Sequence, residues 1–276
     1  MIHLLTEILS FPFMVRALLV GTLVALCSSL LGVSLVLKRY SMIGDGLSHV
    51  GFGALAIASA MNAAPLTVSI PIVVLAAFLL LRISESSKLK GDAAIALIST
   101  GSLAIGVMII SMSVGMNTDV CNYLFGSILS MSQSDVKLSI FLSILVLILF
   151  VLFYNRIFSV TFDEAFTHAI GTNTKFYNMI IALLTALIIV LGMRMMGALL
   201  ITSLIVFPAL TSMRLCKKFK TVMINSMIIS ICCLWAGLII SYSWATPTGA
   251  SIVLCNIVVF FIYWLIQLIK GRLTHA

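Results

Sequence analysis

Long apolar runs are the feature that most constrains how this chain can fold. A helix needs about 20 apolar residues to cross a hydrocarbon core about 30 Å thick, because every backbone polar group must be hydrogen-bonded within the segment. Only Arg194 and a few neighbours interrupt the chain between the sixth and seventh runs, so eight spans are an alternative to nine. The chain is therefore predicted to be an all-α polytopic membrane protein with eight or nine transmembrane helices, forming one domain over residues 1–276. The nine runs lie at 14–37, 43–62, 65–82, 93–113, 136–155, 177–193, 197–213, 221–243 and 249–269.

The composition excludes several other classes of protein. Apolar residues make up 62% of the chain and charged residues 9%, whereas soluble domains average about 45–50% and 25%. A water-soluble globule, a disordered chain and a nucleic-acid binder are thereby excluded. No cleavable signal peptide is expected, since the N-terminal stretch contains Glu7 and no basic segment. The six cysteines lack C-x-x-C spacing and are predicted to be free, buried thiols: Cys27, Cys121, Cys216, Cys232, Cys233 and Cys255.

The distribution of basic residues predicts the orientation of the chain. Cytoplasmic loops of membrane proteins carry an excess of lysine and arginine. If the loop at 156–176 is cytoplasmic, 13 of the 16 basic residues lie on that side, and only Arg16, Lys137 and Arg194 lie outside. The N-terminus is then outside and the C-terminus cytoplasmic. The cytoplasmic residues are Lys38, Arg39, Arg82, Lys88, Lys90, Arg156, Lys175, Arg214, Lys217, Lys218, Lys220, Lys270 and Arg272.

The second run is the only one that carries two ionisable residues close together, Asp45 and His49. Such residues are costly in hydrocarbon, at roughly 2.5–3.5 kcal/mol each at a helix centre, and so are functional candidates. Residues four apart share one helical face, so the carboxylate and the imidazole can bind one divalent cation together, with Ser48 beside them. Two ligands make an incomplete site, but a two-fold homodimer would supply four. The small residues Gly44, Gly46, Gly51, Gly53 and Ala54 would allow close helix packing.

Two other interpretations of this pair stay open. Asp45 lies near the start of the span, where a carboxylate can cap a helix or interact with its dipole, and His49 would then be a polar contact between helices. Alternatively, the two residues form a proton relay.

Three further segments carry weaker signals. Residues 117–131 are predicted to form an interfacial or re-entrant helix near a pore mouth, or an ordinary amphipathic loop helix. Pro208 removes a backbone hydrogen bond and kinks its helix, either as a hinge or as a packing device. Three methionines flank Arg194 at a predicted outer loop, where packing is favoured over copper(I) binding: Met193, Met195 and Met196.

Six motifs in order along the chain carry a family resemblance. The motifs are Gly32–His49 (GVSLVLKRYSMIGDGLSH), Asp92–Ile95 (DAAI), Tyr123–Leu129 (YLFGSIL), Phe162–Gly171 (FDEAFTHAIG), Gly197–Ala209 (GALLITSLIVFPA) and Pro247–Val253 (PTGASIV). Together they resemble the permease subunit of bacterial ABC-type importers for zinc, manganese and iron(II), over nearly the whole sequence.

This resemblance implies a permease in the bacterial cell membrane that pairs as a homodimer, or with a related permease, around one pore. It implies a cytoplasmic ATPase dimer, an extracytoplasmic metal-binding protein and a transported Zn²⁺, Mn²⁺ or Fe²⁺, with no permanently bound cofactor. Asp45 and His49 match the pore residues that bind the metal. The match to the ATPase-coupling helix falls within about 158–174 and comprises Phe162, Asp163, Glu164, Ala165, Phe166 and Gly171.

The residues of this segment are themselves consistent with a coupling helix. Asp163 and Glu164 would lie in its first turn, Phe162 and Phe166 would share one face, and Gly171 fits its end. The basic-residue count also places the segment inside. The alternative is a helix folded back on its own bundle.

Two other functions compete with the importer. The chain lacks G-x-x-x-x-G-K-[ST], so an importer would need a separate ATPase. A proton-coupled secondary carrier would use Asp45 and His49 as proton and metal sites, but its second half should carry a matching intramembrane acid, and Pro208 has none beside it. An intramembrane protease would need H-E-x-x-H or a second buried acid, and neither occurs in the predicted spans.

Overall fold

The computed structural model describes residues 12–86, 91–113 and 133–274, and within these ranges the chain is helical without strands. The helix predicted at 117–131 lies outside the described residues. The helices are α1 (Pro12–Leu37), α2 (Ile43–Ala60), α3 (Pro65–Ser86), α4 (Gly91–Ser113), α5 (Gln133–Leu152), α6 (Tyr154–Phe162), α7 (Glu164–Ala169), α8 (Thr174–Met196), α9 (Ala198–Leu215), α10 (Phe219–Trp244) and α11 (Thr248–Thr274).

Every predicted span coincides with one of the long helices. Among the described residues, eight helices are long and apolar enough to cross a membrane. The remaining long helix, α2, has 18 residues but is less apolar. It contains Asp45, His49 and four glycines, which lower its mean hydropathy. The all-α membrane architecture is therefore confirmed, and the helix with the weakest membrane signal is the one with the ionisable pair.

A glycine separates the sixth and seventh predicted spans. Gly197 has φ 86° and ψ 161°, a backbone conformation that residues with a Cβ rarely adopt. The chain reverses direction at this glycine. As a result, α9 packs so closely on α8 that a Cβ at Gly192 of α8 would overlap the Ile201 side chain of α9. Within the described residues the two segments are thus separate helices packed side by side, so the alternative in which they form one span does not hold.

The core of the bundle is built around α1, α8 and α9. The methionines near Arg194 belong to this core: Met193, Met195 and Met196 are fully or almost fully buried, and α8 extends to Met196. Their predicted packing role is confirmed. Their predicted place in an outer loop is wrong, because the helix continues past Arg194 to the turn at Gly197.

Hydroxyl groups fix the direction of α10 relative to α1. The Ser226 hydroxyl donates to the Ser29 carbonyl at 3.4 Å, and the Ser230 hydroxyl to the Ala25 carbonyl at 3.1 Å. A polar group in hydrocarbon needs such a partner. The pairing runs antiparallel, so the end of α1 and the start of α10 lie at the same end of the bundle.

Other contacts extend this end, which we call the basic end and which comprises residues 38–39, 154–176 and 214–220. The Phe219 ring of α10 packs against those of Phe158 and Phe162 in α6, with centroids 5.0 and 5.8 Å apart. Arg214 donates to the Gln267 side-chain oxygen of α11 at 3.1 Å. Loops that the basic-residue count groups on one side of the membrane are therefore neighbours in space.

The described cysteines are free thiols, as predicted. Cys27 and Cys233 are buried, but Cys232 is exposed. Its predicted burial is wrong, because an apolar run also supplies the outer surface of a membrane helix. Cys121 lies outside the described residues.

Candidate functional site

Asp45 and His49 lie together on one face of α2. The distance from Asp45 Oδ2 to His49 Nε2 is 3.6 Å, and the side chains are 51% and 24% exposed. Zinc binds carboxylate oxygen and imidazole nitrogen at about 2.0–2.2 Å, so a single cation can contact both atoms. Between Ile43 and Ala56, all residues of the helix except Asp45 and His49 are buried. These two residues are thus the part of this stretch that is exposed on the surface of a single chain.

The capping interpretation of Asp45 does not fit the start of the helix. The N-cap residue is Met42, no side chain caps the helix, and Asp45 lies within the first turn. Asp45 is still close to the positive end of the helix dipole. His49 Nδ1 is buried and has no hydrogen-bond partner among the described residues, so His49 is not a satisfied contact between helices within this chain. The proton-relay interpretation is not tested by this geometry.

Ser48 does not join the pair. It is buried, and its hydroxyl donates to the Gly44 carbonyl at 2.8 Å. Serine in a membrane helix often satisfies its hydroxyl in this way, one turn back along its own helix. Ser48 therefore contributes no ligand in this arrangement.

The pair has no further ligand in the described part of the chain. Among those residues, no three side chains of histidine, cysteine, aspartate or glutamate come together in a way that could hold a metal ion. Structural zinc sites use four ligands. The described part of one chain offers a cation two ligands, about half of such a set.

Glycines hold α2 against its neighbours and so set the direction of the pair. A Cβ at Gly53 would lie 2.8 Å from the Ser102 carbonyl oxygen of α4, and one at Gly46 would lie 2.7 Å from the Ile95 side chain. Close approach of this kind is typical of small residues in membrane helices. The predicted small-sided helix is confirmed at these positions. With Gly46 and Gly53 packed on α4 and Gly51 packed on Met193 of α8, Asp45 and His49 are left partly exposed.

The predicted coupling segment consists of two short helices rather than one. Asp163, between α6 and α7, has extended backbone, and its carboxylate accepts a hydrogen bond from the Phe166 amide at 2.9 Å. An aspartate that caps a new helix competes with continuation of the preceding one. Phe162 therefore ends α6 and Phe166 belongs to α7, so the prediction that they share one face of one helix is wrong. Gly171, with φ 84°, follows the end of α7 as predicted.

Both phenylalanines are largely exposed in the single chain. Phe162 is 58% exposed and packs on Phe158 of the same helix, with centroids 4.8 Å apart, and on Phe219. Phe166 is 64% exposed, and Ala165 and Ile170 are exposed beside it. A helix folded back on its own bundle would bury such residues, so the described contacts favour the alternative in which α7 presents an apolar surface.

Contacts between distant segments could not be found by sequence reasoning. Glu164 of α7 contacts Lys38, which follows α1, and Asn178 of α8. At the opposite end, Arg194 of α8 lies 4.0 Å from Asp135 of α5. No periodic pattern or local motif joins residues so far apart along the chain.

Pro208 lies within α9 and is buried, whereas Pro71 lies within α3 and is exposed. Each removes one backbone hydrogen bond from its helix. The kink proposed at Pro208 stays a prediction.

The sequence matches one protein family over most of its length. Residues 10–267 match the ABC 3 transport family. The chain is 28% identical over 256 residues to the manganese import system permease protein ScaB of Streptococcus gordonii, covering 93% of this chain and 92% of that protein. It is 28% identical over 250 residues to the high-affinity zinc uptake system membrane protein ZnuB of Haemophilus influenzae, covering 91% and 96%.

A solved structure has the same fold. PsaBC from Streptococcus pneumoniae in complex with Fab contains a chain that superposes with a TM-score of 0.86 at 27% identity, covering 96% of this chain and 95% of that one.

Proposed function

Because this chain belongs to the ABC 3 transport family, we propose that it carries a divalent transition metal into the cell and that Asp45 and His49 line the path of the ion. The chain is the membrane-spanning permease subunit of an ABC importer and not itself an enzyme. The observation that carries the site assignment is the pair itself, two donor atoms 3.6 Å apart on an otherwise buried helix.

The incomplete ligand set supports pairing of two copies. Half-exposed Asp45 would be costly against lipid, since a carboxylate in hydrocarbon is strongly disfavoured. A second copy related by a two-fold axis would cover the pair and add its own Asp45 and His49. The combined site has two carboxylates and two imidazoles. A heterodimer with a related permease would do the same if that permease carries the same residues.

Transport by this site requires binding that can be undone. Conduction needs a site that attracts the ion and then releases it. Asp45 and His49 lie on one short helical face, and the remaining ligands come from another subunit. A small shift between the two subunits would therefore separate the ligands and release the ion.

The energy comes from a separate ATPase dimer that docks on α7. The apolar surface of Phe166 and Ile170 at the basic end of the bundle supports this assignment. The docking segment comprises Phe162, Asp163, Glu164, Ala165, Phe166 and Gly171, with Phe166 as its most exposed aromatic side chain. An ATP-driven importer is favoured over a proton-coupled carrier by the family match.

The basic end faces the cytoplasm in this proposal. The positive-inside bias and the location of α7 at that end support it. The N-terminus is then outside and the C-terminus inside. An extracytoplasmic metal-binding protein would deliver the ion at the opposite end, near Arg194 and Asp135.

The transported ion is Zn²⁺, Mn²⁺ or Fe²⁺. Imidazole nitrogen suits zinc and carboxylate oxygen suits manganese, and a mixed set binds both as well as Fe²⁺. The named relatives divide in the same way, one being a manganese and the other a zinc protein.

Deletion of the gene is expected to lower the cellular content of one of these metals. The strain is grown under separate zinc, manganese and iron limitation, and the metals are measured by mass spectrometry. The metal that falls is the substrate, and restoration by the wild-type gene is the control. Unchanged content of all three metals would contradict the importer assignment.

Phe166→Ala is expected to weaken association with the ATPase by about tenfold or more, because a central aromatic contact typically contributes about 2 kcal/mol or more to an interface. Association is measured by co-purification and by titration of the ATPase onto the permease in detergent. Phe141→Ala is the matched control, since Phe141 is 67% exposed but lies on the membrane helix α5. Equal association of both variants would remove α7 as the docking site.

A further inference from the structure

Three polar side chains from distant segments form a closed group, which we call the Lys38 triad: Lys38, Glu164 and Asn178. Lys38 Nζ lies 3.3 Å from Glu164 Oε2 and donates to Asn178 Oδ1. Asn178 Nδ2 donates to Glu164 Oε1 at 2.7 Å. Each side chain thus contacts the other two, and α7 is joined to α8 and to the end of α1.

The Lys38 side chain is held firmly within this group. It is 6% exposed, whereas Glu164 is 46% exposed, and Asn178 is buried. A buried ammonium group that loses its partners leaves an uncompensated charge, which is strongly unfavourable. Separating Lys38 from both Glu164 and Asn178 would therefore be unfavourable.

On the other side of Lys38, a hydrogen-bonded turn leads directly to α2. The Arg39 amide donates to the Val36 carbonyl at 3.1 Å and the Tyr40 amide to the Leu35 carbonyl at 2.8 Å. With Arg39 at φ 62°, this is the Schellman arrangement that ends α1. Residues 38–42 separate α1 from α2, and Asp45 lies in the first turn of α2. The turn therefore joins Lys38 to the helix with the metal ligands.

Through Glu164, the Lys38 triad is connected to α7, whose surface the ATPase would contact. The helix α7 has six residues, too few to be stable by itself in water. Phe166 and, just after the helix, Ile170 are exposed, Thr167 is buried, and the half-exposed Glu164 contacts Lys38 and Asn178. A force applied to the exposed surface therefore reaches Lys38 through Glu164, alongside the packing of Thr167.

A small cavity lies beside the turn. It has a volume of about 20 Å³ and is lined by Lys38, Tyr40 and Ile43 of the turn region, by Ala77 and Leu81 of α3, and by Asn178 of α8. A space of this size holds about one water molecule. The turn thus packs against α3 and α8 with one small void between them.

We propose that Lys38 is a positioning residue of the transport cycle, which ties displacement of α7 to the α1–α2 turn and thereby to Asp45 and His49. The inference rests on the proposed function, because it takes α7 as the segment that the ATPase moves. Without the triad, the ATPase would still bind and hydrolyse ATP, but its motion would reach the metal ligands less effectively.

The test uses the complete importer, with permease, ATPase and delivery protein, reconstituted in liposomes. Lys38→Met removes the charge and keeps the length of the side chain. We expect ATP hydrolysis to be largely retained and metal uptake to fall, so that the ATP hydrolysed per ion accumulated rises about tenfold, the size expected when a hydrogen-bonded charge is lost. Lys220→Met is the matched control, since it removes an exposed lysine at the same end.

A second variant of the Lys38 triad keeps the proposal testable if Lys38→Met does not fold. Asn178→Leu keeps the approximate size of the side chain, removes its hydrogen bonds to Lys38 and Glu164 and lies outside the docking segment, and it is expected to raise the same ratio. If uptake and hydrolysis fall in parallel in both variants, the triad merely supports the structure and the proposal is overturned. An equal rise in Lys220→Met also overturns it, because any lost positive charge would then suffice.

Failure of the Lys38 proposal can be distinguished from failure of the proposed function by measuring metal binding separately. Binding of Mn²⁺ or Zn²⁺ to the solubilised Lys38→Met permease should equal that of wild type, since the ligands are unchanged. Metal uptake that persists in Asp45→Ala would contradict the metal-site assignment, whatever the result for Lys38.

Discussion

Metal uptake is expected to fall at least about 100-fold in Asp45→Ala and in His49→Ala, because even a residue that only supports a metal ligand typically accounts for 10–100-fold in affinity. Each substitution removes a ligand from both copies of a two-fold dimer. The loss should appear both as reduced accumulation in cells and as reduced binding of Mn²⁺ or Zn²⁺ to the solubilised permease. The 3.6 Å separation of the donor atoms makes the two losses similar, since neither residue can hold the ion alone.

Two further variants separate chemistry from folding. Asp45→Asn keeps the size of the side chain and removes its charge, and it should fail like Asp45→Ala. Ser48→Ala lies in the same helix but removes only a hydroxyl bonded to the Gly44 carbonyl, so its uptake should stay near wild type. Normal accumulation in Asp45→Asn and His49→Ala, with the proteins inserted in the membrane, would remove the site assignment.

Gly32→Ala is expected to destabilise the native packing of α1 on α9. A Cβ at this position would overlap the backbone carbonyl oxygen of Ile205 in α9 and lie 2.8 Å from the carbonyl carbon. Helix backbones cannot move aside as a flexible side chain can, so α1 and α9 would have to separate. Such overpacking costs about 1–3 kcal/mol or more, against a total stability of about 5–15 kcal/mol.

The measurement is the thermal stability of the detergent-solubilised permease, together with its elution as a single species in size-exclusion chromatography. The control is Gly101→Ala in α4, where a Cβ would meet no atom of the described chain within 4 Å. Alanine favours a helix over glycine by about 1 kcal/mol, so this control should be neutral or slightly stabilising. A wild-type melting temperature for Gly32→Ala would contradict the close contact of α1 with α9.

Features that depend on a single helix could be predicted from the sequence. The bounds of the long helices follow from apolar runs, and Asp45 and His49 are neighbours because residues four apart always share a helical face. The sequence alone leaves the boundary between the sixth and seventh spans ambiguous, since a glycine such as Gly197 is compatible with both a helix interior and a turn. Its positive φ is set by the packing of α8 on α9, which no local pattern reveals.

Features that depend on distant segments could not be predicted. Glu164 is far from both Lys38 and Asn178 along the chain, and a charged residue on a short amphipathic helix is equally consistent with exposure to solvent. The sequence therefore indicated Glu164 as a contact for the ATPase, whereas the structure joins it to the rest of this chain. The break at Asp163 was missed because capping and helix continuation compete over only a few residues.

The weak apolar character of α2 has a consequence for how the protein is made. Insertion from the translocon depends on the free energy of each segment in lipid, and α2 carries an aspartate in its first turn and a histidine one turn later. We therefore expect α2 to be retained in the membrane only when its neighbouring helices are present. Among these, α4 is synthesised after α2 and packs directly against its glycines. Ribosome-bound chains that end before α4 should leave α2 accessible to glycosylation or proteolysis reporters. The helix that carries the proposed metal ligands would thus be stably placed only after α4 has been synthesised.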